Sequence, residues 1–185
     1  GFACVDDDGR IALGERLLGL GSADAAQIAV TFRPAMERVA EVTGETVDLS
    51  VLRAGQMWFI DQIESAHRLR AVSAVGDRFP LHDTANGKAA LALLTDAEAN
   101  DLLSHLTADH AERLRAELAE IRAGHIAFDR DEHTAGISAA GVAGRAGGGN
   151  IVAISVPAPT GRFVANKERI VAALRSALAS PAWLG

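Results

Sequence analysis

A chain of 185 residues, 49% hydrophobic and 23% charged, is long enough to bury one substantial core and has the composition of a globular protein. Its 18 basic and 24 acidic side chains leave a net charge of -6, which excludes a general attraction to phosphate backbones. The lone Cys4 excludes an internal disulfide or a multi-cysteine zinc cage, and no apolar run approaches the ~20 residues that cross a bilayer, so the composition points to the cytoplasm, away from any membrane.

In chain order, Phe2 to Val5 and Arg10 to Leu13 flank Asp6-Asp7-Asp8-Gly9, a turn signal that predicts a short hairpin. Glu15 to Leu20 reads as a short helix. After Gly21, Ser22 caps a longer one carrying Ile28, Val30, Phe32, Met36, Val39 and Val42 at helical spacing and stopped by Gly44. Pro34 inside it removes a hydrogen bond and predicts a kink or restart near Thr31. Thr46 to Leu52 alternates as a half-buried strand with Val47, Leu49 and Val51 on one side. Ala54-Gly55-Gln56 turns it into a second strand, Met57 to Ile63, and Leu69 to Ala74 offers a third.

Pro80 to Leu91, PLHDTANGKAAL, reads as a loop running into a helix that Asp83 or Thr84 caps. The first turn of such a helix has unpaired N–H groups, so Thr84, Ala85, Asn86 and Gly87 could present donors to an anion, with Lys88 nearby. The same residues also suit an ordinary capped helix that packs its alanines and leucines on a sheet. Thr95-Asp96-Ala97-Glu98 is a capping-box pattern, and a further helix runs from about Asp109 to Ala123 with Leu114, Leu118 and Ile121 as its apolar stripe. Its charges, Glu117 among them, are mixed in sign and read as a solvated face.

From His125 the period returns to two: strands at Ile126 to Phe128, Gly136 to Ala143 and Ile151 to Val156, the last two joined by a glycine-rich turn. Gly147-Gly148-Gly149 lacks the Gly-Lys-Ser/Thr of a phosphate-binding loop. Asn166 is placed to cap a last helix, Lys167 to Ala179. Antiparallel meanders with helices gathered on one side give an α+β sandwich.

Catalytic or metal-binding groups concentrate at His82 with Asp83 and at Asp129, Asp131, Glu132 and His133. Neighbours on an extended segment point to opposite faces, which argues against a metal centre, and Asp131 and Glu132 read as solvated loop charges. Ser138, in GISAA, lacks the second glycine of a nucleophile elbow. No catalytic residue, metal or cofactor is therefore assigned.

The motif P-L-H-x-T-x-x-G-K-A-x-L-A resembles the one that opens the effector pocket in the C-terminal domain of IclR-type transcriptional regulators. Gly44-Glu45-Thr46-Val47 with Leu49, DRDEHTAG from Asp129 to Gly136, and IVAISVPAP from Ile151 to Pro159 are similar to three further motifs of that family, in order and spacing. The resemblance implies a GAF-like antiparallel sheet with helices packed on it, preceded by a short β-hairpin and a linker helix. Residues 1–14 would be the remnant wing of a winged helix-turn-helix, 15–22 the linker helix, and 23–185 the effector-binding and oligomerisation domain. It further implies a small organic acid as effector, self-association into dimers or tetramers, and operator DNA contacted only through helices that would precede Gly1. Carried over residue by residue, the pocket comprises Thr84, Ala85, Asn86, Gly87, Asp129, Ile137, Ala139, Ser155 and Pro157. Asn86, Ala139 and Pro157 depart from the family pattern, so the effector's identity does not carry over. Two other readings remain open: a small enzyme using His82 and the Asp129–His133 segment, and a non-sensing scaffold.

Overall fold

The computed structural model describes residues 3–5, 11–13, 15–124 and 126–184. β1 (Ala3–Val5) and β2 (Ile11–Leu13) pair antiparallel with Ala3 opposite Leu13, as the hairpin reading expects; its turn, Asp6 to Gly9, lies outside the described residues.

α1 (Glu15–Thr43) is one helix of 29 residues where the sequence suggested two. Neither Gly21-Ser22 nor Pro34 interrupts it, and Thr31 sits in unbroken helix with its hydroxyl donating to the Gln27 carbonyl at 2.9 Å. The carbonyl that loses its donor to Pro34 belongs to the exposed Val30, where water can replace the bond. Burial of Ile28, Phe32, Met36 and Val39 on the sheet outweighs the local penalty.

Gly44, at φ +69°, ends α1 by donating its N–H to the Ala40 carbonyl. Thr43 Oγ1 accepts from Glu45 N, and the buried Glu45 carboxylate is gripped by both the Nε and Nη2 of Arg162. Ser65 donates its hydroxyl to the Gly44 carbonyl and its N–H to Thr46 Oγ1. The Gly44-Glu45-Thr46 motif is thus a junction where the end of α1, the last helix and the exit of the second sheet strand meet.

The main sheet comprises β3 (Val47–Arg53), β4 (Gln56–Ile63), β5 (Arg78–Phe79), β6 (Ala127–Arg130), β7 (Ile137–Arg145) and β8 (Ile151–Pro159), all antiparallel in the order β5-β4-β3-β8-β7-β6. The third strand expected at Leu69 to Ala74 does not form. The free edge of β4 is taken instead by Gly76 N, donating to Phe59 O, and by Asp77 O, accepting from Phe59 N; this sets the register for Arg78–Phe79.

Helices cover both faces of this sheet, not one side as expected. Val47, Leu49, Val51, Val152, Ile154 and Val156 pack against α1 and α5 (Thr160–Leu178). The alternate residues of the same strands face α2 (Ala85–Leu91), α3 (Asp96–Leu102) and α4 (Ala108–Gly124), where Leu91, Leu114, Leu118 and Ile121 are buried. β3 and β8 are therefore central strands buried on both sides.

α5 begins six residues before the expected cap. Asn166 is interior, its amide donating to the Arg162 carbonyl and accepting from Arg169. The helix starts where β8 ends because Thr160 is fastened by its N–H to Gly136 O and by its hydroxyl to Asp131 Oδ1 at 2.6 Å.

Candidate ligand cavity

The face of the sheet under α2 changes along its length from apolar to polar. Where β3 and β8 carry Leu52, Ile151 and Ala153, α2 and α4 fill the space; towards the other end the same face carries Ser50, Asp48 and Ser155, and there a cavity of about 130 Å³ opens. That volume is smaller than a drug-sized pocket and suits a compact organic molecule.

One wall is the start of α2. Thr84 is the N-cap, its hydroxyl accepting from Gly87 N at 3.2 Å and donating to Pro80 O at 2.7 Å. Asn86 Oδ1 shares the Gly87 N–H, and its Nδ2 donates to Ser50 Oγ across to β3. Thr84, Ala85 and Asn86 reach the cavity. Gly87 does not: its N–H is already bonded, and a Cβ there would lie 2.5 Å from Leu81 Cα, so its glycine is required by the loop folding back on the helix. Gly141 of β7 has a similar role, letting the Ala85 backbone approach to 3.0 Å of where a Cβ would be. Lys88 points away, wholly buried between Glu117 and Glu132 at 2.9 and 2.8 Å, and is not a cation for a ligand.

The opposite wall comes from β6, β7 and β8. Asp129, Ile137, Ala139, Ser155 and Pro157 all line the cavity. The register explains their convergence: Ala139 sits between Asp129 and Pro157, and Ser155 lies between Gly141 and Asp48. β3 pairs with β8 only as far as Ser155, leaving that edge free where Pro157 and Pro159 occur. Asp129 Oδ1 accepts from the N–H groups of Glu132 and His133; burial nevertheless holds its pKa above the usual carboxylate range. Ser155 is 4% exposed, and its hydroxyl has no hydrogen-bond partner among the described residues.

The sequence missed the floor and the lid. Asp48 is 2% exposed, accepting from Gln62 Nε2 at 2.6 Å and Ser73 Oγ at 3.3 Å; burial pushes its pKa up to about 7 against the pull of these two bonds. Ala71, Val72 and Ser73 of the irregular segment 64–77 close over it, and Phe59, Phe79 and His133 form an aromatic side wall with ring centroids 4.6 Å apart. The available signal was the pair of polar residues alternating with Val47, Leu49 and Val51.

Of the residues of the enzyme reading, His82 and His133 both approach Asp83 Oδ2, at 3.9 and 3.3 Å, but only part of the set reaches the cavity. His82 is absent from the lining and packs edge-on against His105 and His110, with burial the main cause of its lowered pKa. Asp131 is exposed, as a solvated loop charge should be, but it is also fastened: at φ +62° it accepts from Gly136 N, Thr160 and Ser138, and these bonds hold its pKa down, Thr160's most. Glu132 is committed to Lys88, and Glu117, read as solvated, joins it. Only Asp129 and His133 of that segment's charged groups reach the cavity, His133 Nδ1 lying 3.3 Å from Asp83. Among the described residues, no group of three or more His, Cys, Asp or Glu side chains is arranged to hold a metal ion. No described helix is long and apolar enough to cross a membrane.

Residues 21–183 match the family described as bacterial transcriptional regulator IclR C-terminal. The chain is 36% identical over 186 residues to the HTH-type transcriptional regulator Rv1719 of Mycobacterium tuberculosis, covering 92% of this chain and 72% of that protein. It is 28% identical over 145 residues to the transcriptional repressor IclR of Escherichia coli, covering 72% of this chain but 53% of the repressor. Among solved structures, the Thermotoga maritima IclR superposes with a TM-score of 0.75 at 26% identity, covering 96% of this chain and 76% of that one. An IclR homolog of Microbacterium hydrocarbonoxydans, crystallised in complex with 4-hydroxybenzoate, shares the fold with a TM-score of 0.68 at 24% identity over 97% of this chain and 81% of its own.

Proposed function

This chain belongs to the IclR family of bacterial transcriptional regulators, and on that premise we propose that its cavity receives a small organic acid whose binding changes how a cytoplasmic regulator engages its operator. The supporting observation is the convergence of Ser155, Asp129 and the Thr84-capped start of α2 on one small cavity against the sheet. A few polar groups converging in an otherwise apolar cavity are what fixes the orientation of a small ligand. In this reading the acid's carboxylate accepts from Ser155 and from the N–H groups of Ala85 and Asn86, while a hydroxyl elsewhere on the ligand donates to Asp129. Ile137, Ala139 and Pro157 supply the apolar wall. The homologue complexed with an aromatic acid bearing a hydroxyl supports that class of ligand.

Operator contact belongs, in this proposal, to a helix-turn-helix of the whole regulator, and the effector acts by biasing two arrangements of a self-associated protein. Val30 and Val42 on the outer side of α1, both exposed, favour that helix as the contact between copies. Reversing such an equilibrium from 1:99 to 99:1 requires the acid to discriminate between the arrangements by about 10⁴. A thermal-shift screen of small carboxylates tests the reading: a bound acid at ~100 times its Kd adds about 2.7 kcal/mol, raising Tm by roughly 5–10 °C. Ser155→Ala should weaken that acid about fivefold. No shift with any carboxylate, or an undiminished affinity in Ser155→Ala, would refute it.

A further inference from the structure

The cavity that the proposed function assigns to an acid carries the wrong charge for one. Among the described residues, its lining includes two carboxylates, Asp48 and Asp129, with His133, and neither lysine nor arginine. Lys88, two residues after Asn86 of the cavity wall, is consumed by Glu117 and Glu132 outside the cavity. A third carboxylate placed in so small a space with two others is opposed by like-charge repulsion, which in a buried site is relieved by protonating one of them. We propose that acid binding is proton-linked at Asp48: the ligand enters as its anion, Asp48 takes one proton from solvent, and the resulting carboxyl group donates a hydrogen bond to the ligand's carboxylate beside the Ser155 hydroxyl.

Geometry selects Asp48 over Asp129. Asp129 Oδ1 already accepts two backbone N–H groups, which favour its charged form, and Lys88 also favours that form. Asp48 has only the neutral Gln62 amide and Ser73 hydroxyl, and it is the cross-strand neighbour of Ser155, so the two side chains approach the ligand from adjacent strands. β4 presents Gln62, while its Asp61 is held by Arg33 of α1 on the other face of the sheet. The 64–77 segment presents Ser73, its charged and titratable groups being the Arg70–Glu64 pair, His67, Arg68 and Asp77, all exposed. β8 presents Ser155, the α2 cap Asn86, and the β6–β7 side Asp129 and His133, with Asp83 against His133. Burial already raises the Asp48 pKa, so the group is poised to take up the proton near neutrality.

This inference rests on the organic-acid reading, and one experiment separates their failures. Acetate, pyruvate, benzoate and 4-hydroxybenzoate are titrated calorimetrically into the protein from pH 5.5 to 8.5, in pairs of buffers with different ionisation enthalpies. For the tightest of them, Kd should hold steady below about pH 7 and rise close to tenfold per unit above pH 7.5, with nearly one proton taken up per ligand at pH 8. Asp48→Asn, which keeps an acceptor for Gln62, should abolish both the slope and the proton uptake. His133→Gln should leave the slope above pH 7 in place, because the proton taken up on binding is placed on Asp48. An acid that binds with a flat profile, or a slope that survives in Asp48→Asn, overturns the proton linkage and spares the acid reading. Failure of all four acids to bind at millimolar concentration at any of these pH values overturns both.

Discussion

Replacing Asp48 by asparagine should stabilise the ligand-free protein at alkaline pH. In the folded state its pKa stands at about 7 against a reference value of 3.8. Between those values the folded protein keeps a proton that the unfolded chain has released, so the contribution of Asp48 to stability falls as pH rises and levels off above the folded pKa. Three pH units at 1.36 kcal/mol each set an upper bound of about 4 kcal/mol on that loss. Asparagine is almost the same size, retains an oxygen for Gln62 Nε2 and turns an amide towards Ser73 Oγ, yet carries no charge to bury. The variant should therefore be more stable than the parent at pH 8, and its advantage should shrink by about 2–3 kcal/mol on going down to pH 5. Asp129 also has a raised pKa, but it is present in both proteins and cancels in the difference. Urea unfolding of the two proteins at pH 5, 6, 7 and 8, with m unchanged between them, measures the effect. A difference in stability that does not vary with pH, or an Asp48→Asn protein that is the less stable at pH 8, would refute the reasoning.

Lys88→Met should cost roughly 2–4 kcal/mol at neutral pH, because it leaves Glu117 and Glu132 facing each other without the buried ammonium; both are partly exposed, which keeps the loss below that of a fully buried pair. Denaturant unfolding should show most of that stability restored when Glu117→Gln and Glu132→Gln are added. Gly87→Ala should lower stability by about 2–3 kcal/mol, since its Cβ would meet the Leu81 backbone at 2.5 Å and Thr84 Oγ1 at 2.6 Å, neither of them the tip of a flexible side chain. Thermal unfolding checks it, and affinity for any carboxylate found to bind should fall with it as the Thr84 cap is displaced.

The sequence was informative where a residue's role is settled by its neighbours in the chain. Thr84 caps α2, Thr95 and Glu98 close a capping box and Gly44 ends α1, and each acts within a few residues of itself. The period-two pattern of Val47, Leu49 and Val51 likewise marked the strand and its buried side. It misled wherever the deciding partner is distant. Asn166 has a capping side chain, but the start of α5 is set by Thr160 reaching Asp131, 29 residues away in sequence. Lys88 beside a helix start suggested a cation for an anion, while its partners Glu117 and Glu132 lie 29 and 44 residues further on.

Asp48 and Ser50 show why a binding site is harder to read than a fold. A polar residue alternating with valines in a strand reveals that one face meets something polar, and water satisfies that requirement as well as a cavity does. Which of the two it meets depends on whether α2 and the 64–77 segment close over that face. The first is permitted by the close approach of Leu81 to Gly87, and the second by Gly76 and Asp77 occupying the edge of β4 so that Ser73 is delivered to Asp48. Neither contact leaves a mark on the strand's own sequence, so the floor of the cavity becomes visible only once the elements that roof it are in place.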